Sequence, residues 1–142
     1  MKYKRFQDTI AVRLETGEEI HQSIRQICRR EQVTLGSISG FGGIRSLKVG
    51  IWNNLAGCYD YLEESGKSME LLSLTGNITM QNEEVTTHIH VAAADNNFRV
   101  FGGHLVIGEI QNLAELMIRI VPGKVERIPF ENWYVMDLEE EA

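Results

Sequence analysis

One change of period, at Val33, constrains the fold more than any other feature of the chain. Before it, Ile20, Ile24, Ile27 and Cys28 fall at i, i+4, i+7 and i+8, the apolar stripe of an amphipathic helix over residues 18–31. Glu18 and Glu19 at its start and Arg29 and Arg30 at its end suit the helix dipole, so the cluster of Arg25, Arg29 and Arg30 needs no ligand to explain it. After Val33 the pattern is that of strands, over residues 47–52, 59–62, 69–80, 87–94, 98–101, 114–121, 125–128 and 133–138, with a glycine-rich stretch at 37–43. One further strand, residues 9–14, precedes the helix. Gly76 reads as a bulge position, and the tripeptide Phe-Gly-Gly at 41–43 and 101–103 as two similar turns. One helix among so many strands indicates an α+β domain on a largely antiparallel, or mixed, sheet.

The 142 residues make one domain, 1–142, and a composition 43% hydrophobic and 24% charged is that of a globular protein with a sizeable core rather than a disordered chain. No apolar run approaches the roughly 18–20 residues of a membrane-crossing helix. The basic start, Met1-Lys2-Tyr3-Lys4-Arg5, leads into no apolar signal segment, so the expected compartment is cytoplasmic, with no membrane partner. There Cys28 and Cys58, which form no Cys-x-x-Cys pair, are expected to be buried, reduced thiols. The formal charge of −6 opposes non-specific DNA binding, which rests on phosphate neutralisation. Residues 137–142 read as an acidic, solvated tail. Gly40-Phe41-Gly42-Gly43 lacks the lysine and following helix of a phosphate loop, and there is no Gly-x-Ser-x-Gly elbow.

The chemistry concentrates in three histidines. His88 and His90 sit two apart in a strand, so their imidazoles share a face. Asp95-Asn96-Asn97 turns the chain back, and a turn centred on Asn96-Asn97 sets His90 opposite Gly103 with His104 beside it. Gly102 and Gly103 relieve crowding next to the rings. Three neutral imidazoles converging on one point suit Zn²⁺ with a fourth position open; nickel, copper or iron would also accept them. His21, the fourth histidine, is expected on the exposed side of the helix, away from this group.

In order along the chain, Val12-Arg13-Leu14-Glu15-Thr16-Gly17-Glu18-Glu19, Gly36-Ser37-Ile38-Ser39-Gly40-Phe41-Gly42, Met69-Glu70-Leu71-Leu72-Ser73-Leu74-Thr75-Gly76-Asn77-Ile78, His88-Ile89-His90-Val91, Gly102-Gly103-His104-Leu105 and Ala114-Glu115-Leu116 together resemble the PPC (plants and prokaryotes conserved, DUF296) domain over residues 9–121. The resemblance implies an α+β homotrimer, similar in fold to acetolactate decarboxylase and to a zinc-dependent ester hydrolase. It implies zinc on His88, His90 and His104, and a DNA-binding or DNA-associated regulatory role. Plant members carry AT-hooks; this chain has no Arg-Gly-Arg-Pro hook and only two prolines, Pro122 and Pro129, which disfavours DNA as a partner.

An open zinc position also admits a zinc-dependent enzyme, a lyase or hydrolase acting on a small carbonyl or ester. Such an enzyme needs an acid or base, and Glu70 and Glu115, carboxylates within apolar strands, are the candidates for that catalytic role. A protein-interaction scaffold is the third reading, with Trp52, Tyr59, Tyr61, Trp133 and Tyr134 as interface aromatics.

Overall fold

Four long strands set the architecture. In the computed structural model, which describes residues 1–138, the order is β1 (Lys2–Phe6), β2 (Thr9–Glu15), α1 (Ile20–Glu31), β3 (Gly36–Asn53), β4 (Cys58–Gln81), β5 (Glu84–Asp95), β6 (Val100–Ile120), β7 (Arg127–Phe130) and β8 (Trp133–Met136). All but the first two residues of the 137–142 tail lie outside that range. The main sheet runs β1-β2-β6-β3-β4-β5, every pair antiparallel, and β5 also pairs with β6. That last pairing joins β3, β4, β5 and β6 into a closed ring of strands. Closure leaves these strands no free hydrogen-bonding edge where they meet, which is how a small sheet avoids edge-to-edge aggregation.

The core fills the ring and the space beneath the helix. Ile10, Leu14, Ile44, Leu47, Leu71, Leu74, Ile78, Ile89 and Leu105 are fully buried there. Helix α1 closes it with Ile20, Ile24, Ile27 and Cys28, the stripe read from the sequence; burial is worth about 2 kcal/mol for each large aliphatic. Glu19 is the N-cap, its carboxylate accepting from the Gln22 N–H at 2.7 Å, and Gln32 ends the helix in the left-handed conformation. Arg29 and Arg30 lie in the last turn as expected. Burial pushes the Cys28 thiol up to about 12, so it is inert, whereas Cys58 is exposed, contrary to expectation.

Several strand boundaries differ from the sequence reading. Residues 2–6 form a strand, and the glycine-rich stretch 37–43 belongs to β3. Residues 59–62 and 69–80 belong to one strand, β4, and 98–101 and 114–121 fall in or beside β6. Bulges between Gly40 and Gly42, Ile44 and Ser46, and Leu71 and Ser73 bend these strands without ending them. Both Phe-Gly-Gly tripeptides therefore lie within strands rather than in turns. Gly76 is no bulge: it pairs in regular register with Ile89, and a β-carbon there would strike the His88 carbonyl oxygen.

Candidate metal centre

The two histidine strands are joined by a turn that Asp95 holds. Its buried carboxylate accepts from the Asn97 N–H at 2.9 Å and the Arg99 N–H at 3.1 Å, and pairs with the Arg99 guanidinium at 2.7 Å. The Arg99 hydrogen bond holds the Asp95 carboxyl below the usual carboxylate range. Phe98 takes a left-handed φ of 60°, and β6 starts at Val100. The turn is thus longer than expected, and the register moves by one residue: His90 faces His104 itself, and Gly103 faces Val91. Gly103, at φ +155°, is where β6 presses on β3, because a β-carbon would sit 2.6 Å from the Gly50 carbonyl oxygen.

Alternation on β5 buries Ile89 and Val91 and turns His88 and His90 to the opposite face. The Nε2 atoms of His88 and His90 are 3.3 Å apart, about the edge of a tetrahedron around an ion with 2.0–2.1 Å bonds. The rings of His88 and His104 have centroids 5.1 Å apart, those of His90 and His104 5.5 Å. One nitrogen from each of the three falls within 4.8 Å of the others. His104 Nδ1 is buried with no hydrogen-bond partner, a cost that an ion would offset. Burial first, then Arg127 and the other imidazoles, push the His88 ring down to about 4. Burial likewise lowers His104, with His90 the next cause. Both rings are therefore neutral near pH 7, the form that ligates metal. The donor set fits a divalent transition ion.

The surrounding walls come from elsewhere in the chain. Residues 125–137 dock on β4 through Met80 N–H to Val125 O at 2.9 Å, and the β7–β8 hairpin roofs a cavity of about 680 Å³ over the histidines. Arg127 is fixed there by Thr79 Oγ1 at 2.9 Å, Asn77 Oδ1 at 2.9 Å and the Tyr134 carbonyl at 2.8 Å. Its Nη2 also lies 3.5 Å from His88 Nδ1. Guanidinium can only donate, so that nitrogen must accept, whereas an imidazole ligating through Nε2 carries its proton on Nδ1. The long Arg127 contact and ligation through His88 Nε2 are alternatives. Tyr59 lies beside His104 at 5.6 Å between ring centroids, and Trp52 contacts Tyr59 at 5.2 Å and Trp133 at 4.9 Å; of the five aromatics named from the sequence, Tyr59, Trp133 and Tyr134 line this cavity.

His21 stands outside the three-ring group, as read from the sequence, but not on an exposed face. It is half-buried, with Nδ1 2.7 Å from Thr87 Oγ1 and Nε2 3.1 Å from the Leu105 carbonyl. A carbonyl accepts, so Nε2 carries the proton and Nδ1 accepts from Thr87. Those partners neighbour His88 and His104, so one helix side chain ties together the two strands that hold the ligands. Glu70 is exposed and pairs with Ala94, four residues past His90 on β5, about 13 Å away along the strand. Glu115 pairs with Arg13 and Phe41 on another part of β6. Neither lines the histidine cavity. Neither Arg127 nor His21 carried a ligand signal in the sequence: one sits in the short strand read at 125–128, the other on a helix whose pattern speaks only for its apolar stripe.

A closed α+β sheet carrying three converging imidazoles is the class that fold and site define. The chain belongs to the Plants and Prokaryotes Conserved (PCC) domain family, whose profile matches residues 1–122. It is similar to a candidate DNA-binding protein from Bacteroides thetaiotaomicron (25% identity, 98% of each chain covered, TM-score 0.91). It is similar to a plant- and prokaryote-conserved (PPC) protein from Pyrococcus horikoshii (30% identity, 99% of this chain and 96% of that one, TM-score 0.83). A metal-containing protein from Archaeoglobus fulgidus is also similar (25% identity, 98% and 97% covered, TM-score 0.82). The expected likeness to acetolactate decarboxylase holds for the fold alone, at 10% identity and TM-score 0.54 with the Bacillus subtilis enzyme. A search of curated proteins finds no match. No helix among the described residues is long and apolar enough to cross a membrane.

Proposed function

We propose that the chain is a metal-binding domain that holds one divalent transition ion, zinc in the first instance, on His88, His90 and His104. The observation that carries this reading is the convergence of one nitrogen from each of the three rings to within 4.8 Å. Bound to His88, His90 and His104, the ion would supply a Lewis acid. The cavity under the β7–β8 roof would admit a small ligand with an oxygen donor. Whether such a ligand is turned over, in a lyase or hydrolase reaction, depends on a proton carrier; Glu70 and Glu115 would have to approach from a neighbouring subunit to serve.

The domain works as a homotrimer in this reading. Its support is the family and an apolar face on the outside of the sheet, where Phe41, Leu72 and Met117 are each about half exposed. DNA association is a second reading, favoured by the descriptions of two similar structures, from Bacteroides thetaiotaomicron and Ralstonia eutropha. Against it, Arg5, Arg13, Arg29 and Arg45 are each paired with a carboxylate within the chain. Metal content per chain, by mass spectrometry on the native protein and on His90→Ala, tests the first reading. About one zinc per chain is expected, falling by more than about 100-fold in affinity in the variant while circular dichroism is unchanged. No metal after zinc loading would overturn it. A shift of duplex DNA at low salt would establish the second reading, and its absence there would exclude it, since electrostatic binding is strongest at low salt.

A further inference from the structure

The histidine cavity has a charge opposite in sign to that of the whole chain. The whole sequence carries −6, yet the described residues that line this cavity include no aspartate or glutamate. The one charged residue among them is Arg127, a half-buried cation. All its hydrogen-bond partners are neutral: a hydroxyl, an amide oxygen, a carbonyl and an imidazole. A guanidinium has five N–H groups, and these four contacts leave at least one to give. Burying a cation without a counter-ion is costly, and a divalent ion on the histidines would raise the local charge further. The remaining walls are neutral amides and hydroxyls, such as Asn77 and Thr86, and the aromatic rings of Tyr59, Trp133 and Tyr134.

We propose that the cavity binds a small organic carboxylate, with Arg127 as the residue that selects its negative charge and the aromatic rim packing its apolar body. The proposal rests on the metal-binding reading only in that the ion supplies a second positive centre; the Arg127 argument stands without it. A carboxylate suits the site because the guanidinium fork offers it directed N–H donors, while the flat rings favour an unsaturated or branched body over a hydrated one. The cavity, about 680 Å³, is of the size that takes such molecules. The test includes a variant ending at Leu138, which removes the carboxylates of Glu139, Glu140 and Glu141.

The experiment is calorimetric titration of the zinc-loaded and the metal-free protein with benzoate, its neutral isostere benzamide, acetate and inorganic phosphate. Benzoate is expected to bind at least about tenfold more tightly than benzamide, and more tightly than acetate. Arg127→Gln should lose about tenfold or more for benzoate with no change for benzamide, and Arg127→Lys should recover part of the loss. Zinc content measured on each variant separates the two readings. Arg127-dependent benzoate binding in a protein that takes no zinc upholds this proposal and sinks the metal site; zinc uptake without it does the reverse. Equal binding of benzoate and benzamide, unchanged affinity in Arg127→Gln, preference for phosphate, or no carboxylate binding by either the full chain or the Leu138-terminated variant would each overturn the proposal.

Discussion

Two cavities open on the same closed sheet, and they are built on opposite principles. The histidine cavity, about 680 Å³, is walled by imidazoles, by amides and by a guanidinium whose position is fixed by hydrogen bonds to Thr79 and Asn77. The other, about 810 Å³, lies over β1, β2 and the middle of β3, β4 and β6, and its floor is Val12, Leu74 and Leu116 with Phe41, Leu72 and Met117 standing half exposed around it. Its charges, Lys2, Lys4, Arg13 and Glu115, stand among apolar neighbours, with Lys2 and Arg13 sharing Glu15. A wall of directed donors recognises a small ligand by geometry. A wall of aliphatic and aromatic area gains most when it is covered by something large. Glu115, the catalytic candidate of the sequence reading, lines the apolar cavity and not the histidine one.

Substitutions can test that division. The largest effect is expected where the scaffold of both cavities is struck at once: Gly76→Val drives a side chain into the β5 backbone at His88 and Ile89. It should lower unfolding free energy by about 3 kcal/mol in urea titrations and impair zinc uptake and assembly together. The double variant Leu72→Asp, Met117→Asp should separate the two. For the proposed homotrimer, light scattering is expected to fall from three times the 16.1 kDa chain mass to a single chain, while zinc content stays the same. Loss of zinc in that variant would show that the two regions are one functional unit.

The smallest and most local effect belongs to His21→Ala. It frees the Thr87 hydroxyl and the Leu105 carbonyl and should weaken zinc binding by about tenfold, with the oligomer intact. It also carries a sign in pH. Burial lowers the His21 pKa, with Arg25 pushing the same way and Glu19 and the Leu105 carbonyl opposing. A depressed histidine contributes stability that is whole above its unfolded value of about 6.5 and is lost as pH falls through its folded value. The metal-free wild type is therefore expected to lose melting temperature below about pH 6.5, and His21→Ala to lose it less steeply. A steeper fall in the variant would remove His21 from the account.

What was legible in the sequence follows from which signals are local. The helix stripe, the alternation of His88 and His90 and the turn at Asp95 are written in neighbouring residues, and each was found. The register of that turn missed by one because Phe98 adopts a left-handed conformation that the apparent Asn-Asn turn does not announce. Long strands looked like several short ones: the register shift between Ile44 and Ser46, opposite Met69 and Ser65 of β4, falls in the polar stretch that separates the two segments read from the sequence, while the ladder continues. Arg127 and His21 reach the site only through the closure of the sheet and the docking of the helix, and no spacing in a single chain encodes that.

All three imidazoles come from seventeen consecutive residues, His88 to His104, on a single hairpin, whereas the roof, the guanidinium and the helix clip come from far along the chain. The donors are thus a cassette, and the rest of the molecule is its housing. Because His88 and His90 face away from the core, exchanging them leaves the hydrophobic core intact. The proposed ion site can therefore be removed by substitution without dismantling the housing that decides what reaches it.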